Sequence, residues 1–120
     1  MRVIVAVDQS RDLPLVTDVI HDRWFDLDDV VFDQARSALE IKFTREVAST
    51  SPKESRDVRC SLWIDHVERY EIDDSERVGR YDFNKLVYDP RAQQIVVLTG
   101  IPLGFKIKVS AVGVKVVEID

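Results

Sequence analysis

The sequence predicts a mainly β protein, with about seven strands in an antiparallel sandwich or partly open barrel and one short N-terminal helix. Three observations predict it. Short alternating apolar runs recur along the chain between polar turn residues, the pattern of half-buried strands. Two stretches, Phe25–Phe43 and Tyr81–Thr99, share that alternation residue by residue, so the β structure reads as two duplicated three-stranded units. Helical spacing occurs once, over Leu13–Asp22.

Residues 1–24 supply the N-terminal strand and helix of a single domain spanning 1–120. Arg2–Asp8 is apolar on both faces and is expected to be well covered. Asp12 suits the N-cap and Pro14 the first turn of a helix whose apolar face carries Leu15, Val16, Val19 and Ile20.

The first β repeat covers 25–73 and the second 81–120. Laid over each other, they pair Phe25 with Tyr81, Leu27 with Phe83, Val30 with Leu86 and Phe32 with Tyr88. Both copies also change phase at the same place. Phe25 and Leu27 share one parity and Val30 and Phe32 the other, as Tyr81 and Phe83 do against Leu86 and Tyr88. A bulge or bend produces such a slip, because alternate side chains must keep facing the core. Each copy turns into a second strand, Leu39–Phe43 or Ile95–Leu98, and then into a long or bent third strand. In those third strands His66 falls opposite Gly113 at another phase change. Asp73–Arg80 joins the copies through an expected short helical turn capped by Asp73 or Asp74. The second-to-third connection is tight in one copy, Gly100–Gly104, and long in the other, from about Thr44 to Val58. The long one, with Ser49, Thr50, Ser51, Pro52 and Lys53, has the composition of a mobile loop.

Composition narrows the function classes. Hydrophobic residues make up 45% of the chain and charged ones 32%, and the formal net charge is −5. A phosphate backbone repels such a chain, so nucleic acid is not expected as a partner. No run approaches a membrane span, and the apolar start Val3–Val7 meets Asp8 too soon for a secretory signal. Cys60 stands alone in an apolar run, which fits a small buried hydrophobe in a reducing, cytoplasmic compartment.

Candidate chemistry is sparse. His21-Asp22 and Asp65-His66 are the metal-ligating candidates, since only a mixture of His21, Asp22, Asp65 and His66 supplies enough ligands. The competing reading caps the helix end with His21 and Asp22. Asp26, Asp28, Asp29 and Asp33 alternate with apolar residues and read as the wet face of a strand rather than a calcium loop. No nucleophile elbow or glycine-rich phosphate loop occurs, so no catalytic residue and no cofactor are assigned. The surplus apolar residues are more informative. Trp63, Val96 and Leu98 lie on the wrong parity for the core, and Ile101, Pro102 and Leu103 crowd a turn. Either the helix from Leu13 covers the outer face of one sheet, or these residues form a protein-contact surface.

The run Ile20-His21-Asp22, followed by Asp29–Asp33 and Leu39–Phe43, resembles small bacterial β-rich proteins of uncharacterised function, toxin-immunity proteins among them. The resemblance is confined to Ile20–Phe43 and brings no catalytic residue with it. The expected function is therefore that of a non-enzymatic β-domain that binds another protein or a second copy of itself. The alternative is a small-molecule binder or metal-dependent enzyme built on the two His-Asp pairs.

Overall fold

A computed structural model describes residues 1–48 and 55–119. It contains ten strands and one α-helix: β1 (Arg2–Val7), α1 (Leu13–Ile20), β2 (Trp24–Asp26), β3 (Val30–Asp33), β4 (Ala38–Ala48), β5 (Ser55–Ile64), β6 (Val67–Asp73), β7 (Arg80–Asp89), β8 (Gln94–Thr99), β9 (Gly104–Val109) and β10 (Val114–Glu118). Two five-stranded antiparallel sheets form, in the orders β1-β10-β5-β4-β3 and β2-β7-β8-β9-β6. The mainly β class with one short helix therefore holds, but the strand count of about seven does not. The three extra strands arise at the phase changes. The chain breaks at Leu27–Asp29, at Asp65-His66 and at Ser110–Gly113 instead of bending within one strand.

The last two breaks are corners at which the chain changes sheets. β5 lies in the first sheet and β6 in the second; β9 lies in the second and β10 in the first. The corners hold each other reciprocally. Asp65 N–H donates to Gly113 O at 2.7 Å and Ser110 N–H to His66 O at 2.9 Å. His66 adopts a left-handed φ of 59° there. A Cβ on Gly113 would sit 3.1 Å from the imidazole Cδ2, so glycine admits the ring at this corner.

One core lies between the sheets. Leu39, Ile41, Phe43, Cys60, Leu62, Ile64, Val114 and Val116 face it from the first sheet, and Phe25, Tyr81, Phe83, Ile95, Val97, Phe105 and Ile107 from the second. Phe83 is central among the aromatics, stacked on Phe25 at 4.5 Å between centroids and edge-on to Phe43 at 5.7 Å.

The helix adds Leu13, Val16 and Ile20 to this core and packs on β7, β1 and β10. Its other side is exposed, with Leu15 at 54% rather than on the buried face. It packs against those strands rather than over β8, so of the two readings of Val96 and Leu98 helix cover does not hold. Asp12 makes no side-chain cap, because a 3-10 turn over Ser10–Asp12 runs straight into the helix. β1 is an edge strand, not a well-covered one, and Val3 is 56% exposed. The long connection is also shorter than expected: β4 and β5 pair from Leu39↔Ile64 to Ala48↔Ser55, so Thr44–Ala48 and Ser55–Val58 are strand. Alternation explains this, since Phe43, Val47, Val58 and Cys60 keep turning apolar side chains towards the core. Ser49, Thr50, Ser51, Pro52 and Lys53 lie outside the described residues. Between β6 and β7 a turn closed by Arg77 N–H to Asp74 O replaces the expected helical turn.

Candidate functional site

Because β4, β5 and β10 turn alternate residues inward, Glu40, Lys42, Arg59, Ser61, Trp63 and Val117 project from the outer face of the first sheet. Register sets them in rows: Glu40 stands opposite Trp63, and Lys42, Ser61 and Val117 lie side by side across three strands. Ser61 and Val117 are 1% and 2% exposed although they face outward, so they form a floor. The Ser61 hydroxyl donates to Glu40 Oε2 at 2.7 Å, which satisfies the buried oxygen.

A wall comes from the other sheet. Trp24 and Asp26 on β2 pair with β7, and the 3-10 turn at Leu27–Asp29 then carries the chain past β4. That turn is held by a capping box, in which Asp26 and Asp29 accept from each other's backbone N–H groups. Asp26 thus keeps the exposed face of β2 while capping the turn, whereas Asp29 belongs to the turn itself rather than to a strand face. Arg80 lies 4.0 Å from the Asp26 carboxylate. Together these elements enclose an open groove of about 600 Å3, lined by Trp24, Trp63, Lys42, Arg59, Arg80, Glu40, Asp26 and Asp29 among others.

Both tryptophans of the chain line this groove. Each has a guanidinium over its ring: Arg36 is 4.1 Å from the Trp63 centroid and Arg80 is 5.7 Å from that of Trp24. Trp24 is 43% exposed. The groove also follows a backbone edge. β3 pairs only with Ala38–Ile41, so among the described residues β4 has no strand partner on that side from Lys42 onward. Lys42, Phe43 and Thr44 all line the groove along this edge.

The other candidates lie elsewhere. His21 caps the C-terminus of α1 with its N–H on Thr17 O, and its Nδ1 is 3.1 Å from Asp22 Oδ2 in an exposed pair. Asp65-His66 forms the β5–β6 corner. Among the described residues no three His, Cys, Asp or Glu side chains are grouped to hold a metal ion. Of the six expected contact residues, Trp63 alone belongs to the groove. Val96 and Leu98 are half-buried on the outer face of the second sheet, cross-strand from Val87 and Lys85. Ile101 and Leu103 pack against the core, and Pro102 is exposed. No single surface gathers all six.

Cys60 is fully buried in the core. Burial pushes its thiol up from the ordinary value, while Arg45 pulls the other way. Its side chain turns into the core on the parity opposite Ser61, although the residue also borders the groove.

Sequence reasoning missed Trp24, Lys42, Arg59 and Arg80. The available signal was parity: Trp24 alternates with core residue Phe25, and a tryptophan on the wet side of a strand marks contact. Among the described residues no helix is long and apolar enough to cross a membrane. No protein-family model, curated protein or solved structure matches the chain, so the groove's own geometry carries the functional reading.

Proposed function

We propose that the protein is a non-enzymatic β-domain that binds an extended segment of another protein along the groove of the first sheet. The observation that carries this reading is the pairing of two arginine-capped tryptophans with an unpaired stretch of β4 edge over a buried floor. Tryptophan and arginine are the residues that dominate binding energy at protein contacts. An open edge takes an added strand through main-chain hydrogen bonds, while flanking pockets read alternate side chains. The groove's mixed charges, Lys42, Arg59 and Arg80 against Glu40, Asp26 and Asp29, suit a polar peptide better than an apolar ligand. The net charge of −5 favours a basic partner, in a cytoplasmic setting. In the same reading the two β halves are copies of one unit, and the groove is an elaboration of the first.

Native mass spectrometry with elemental analysis, on protein purified gently from its source, tests the proposal. A stoichiometric second protein, lost from both Trp24→Ala and Lys42→Glu with circular dichroism unchanged, is the expected result. Both substituted residues are exposed, so loss of folding does not mimic loss of binding. A homodimer dissolved by the same substitutions would replace the occupant with a second copy. A monomer carrying metal, or a partner retained by both variants, would overturn the reading and return attention to His21, Asp22, Asp65 and His66.

A further inference from the structure

The outer face of the second sheet carries a different chemistry. Arg69 on β6 stands directly opposite Lys108 on β9, and Lys106 follows on the same face one row along. Lys108 is in turn opposite Gln94 on β8, and Lys106 lies between Glu71 and Val96. Ile107 and Val109, which alternate with the two lysines, are buried in the core and fix the lysines outward. Around these residues the surface forms a shallow hollow of about 370 Å3, lined by Arg69, Tyr70, Glu71, Gln94, Lys106 and Lys108. Three cations and one carboxylate thus converge on one spot of a chain whose net charge is −5. Among the described residues none of the three cations has a carboxylate within ion-pair distance.

Like charges directly opposite each other on neighbouring strands destabilise a sheet. The Arg69–Lys108 pair therefore works against the fold that holds it. Glu71, the one carboxylate lining the hollow, stands opposite Lys106 and, among the described residues, forms no ion pair with either member. A compact anion with more than one negative charge would offset it. Arg69 offers a planar fork of donors, the two lysines offer point charges, and the Gln94 amide lies in the next strand.

We propose that this hollow, on the sheet opposite the tryptophan groove, is a binding site for a phosphate group carrying two or more negative charges. The site is independent of the groove reading. Free pyrophosphate and a phosphorylated side chain of another protein present the same chemistry.

Thermal unfolding at fixed ionic strength tests it, with pyrophosphate, a phosphoserine peptide and chloride as probes. Either phosphate probe at tenfold excess over its Kd should raise Tm by about 4–6 °C, and chloride should not. The stronger probe identifies the source, free or protein-borne. Arg69→Gln and Lys108→Gln should each abolish the shift while leaving the unliganded Tm unchanged or slightly higher, because each removes the like-charge pair. That opposite response separates a binding role from a structural one. The proposal is overturned if neither phosphate probe shifts Tm beyond chloride, or if the shift survives in the Arg69→Gln/Lys108→Gln double variant.

Discussion

The first half of the sheet structure, β2–β6, and the second, β7–β10, lay down their strands in the same order and part company at one step. In each, three antiparallel neighbours are followed by a strand that crosses to the other sheet: β3-β4-β5 then β6, and β7-β8-β9 then β10. The second half absorbs its change of phase inside one continuous strand, through a register shift between Phe83 and Lys85. Backbone groups around that shift are satisfied by α1 and the turn that follows it. Asp22 N–H donates to Phe83 O at 2.8 Å, Phe83 N–H to Arg23 O at 2.9 Å, and Leu86 N–H to Thr17 Oγ1 at 3.3 Å. The first half has no helix beside the corresponding place. Its chain leaves the strand instead, turns through Leu27–Asp29 and resumes as the four-residue β3. A short β3 leaves β4, among the described residues, with no strand partner on that side from Lys42 onward, and that is where the groove opens. The lesson is that the candidate site sits where the halves differ, not where they agree.

The largest break in this comparison is on the shared side. Phe83 touches rings from both sheets, so Phe83→Ala should cost about 3–5 kcal/mol in urea unfolding. An effect under 1 kcal/mol would remove Phe83 from the centre of the core.

The next test belongs to the second half alone. A Cβ on Gly100 would clash with the Asp82 carboxylate, and Asp82 Oδ1 accepts from Ile101 N–H at 3.1 Å. Gly100→Ala should destabilise by about 1–3 kcal/mol. Gly104→Ala, whose nearest contact is the Asp73 Cβ at 3.1 Å, should cost less. The reverse order would show that the β8–β9 turn is not held by Asp82.

In the first half, Asp29→Ala removes one arm of the capping box at Leu27–Asp29 and should cost about 1 kcal/mol. The comparison predicts that hydrogen exchange then accelerates around β2 and β3 but not at the β7 bulge. Equal acceleration at both would mean that the two phase breaks share one support.

The smallest effect is a pH dependence. Burial raises the Cys60 pKa, so the folded state holds this proton more tightly than the unfolded chain. The stabilisation from Cys60 is complete below the unfolded thiol pKa of about 8.5 and is lost as pH rises above it. Between pH 7 and 10 the wild type should lose stability relative to Cys60→Ala, as followed by thermal unfolding. A parallel pH profile for the two proteins would contradict the assignment.

Much of the fold was legible because alternation is a local record of burial. The helix begins at the residue expected and ends two residues early, at Ile20. The phase change at Phe83–Leu86 marks a bulge. What was not legible is what happens beyond the strand. At Asp65-His66 and Ser110–Gly113 a phase change signals both a bend and a change of sheet, and only the partner strands distinguish them. β1 reads as covered because its run is apolar, yet which strand becomes an edge depends on pairing order. The site was harder still. Trp63 stood out by parity, but its groove is completed by Trp24 and Arg80, which lie far along the chain and in the other sheet. Local pattern places a side chain on a face; it does not say which other face comes to meet it.

The central claim is that an extended protein segment docks along β4 beside the two tryptophans. Hydrogen exchange by mass spectrometry, on the purified complex against the protein alone, tests it most directly. The account predicts new protection confined to the Lys42–Thr44 edge of β4, with the outer face of β8 and β9 unchanged. Protection on β8 and β9, with none along β4, would contradict it.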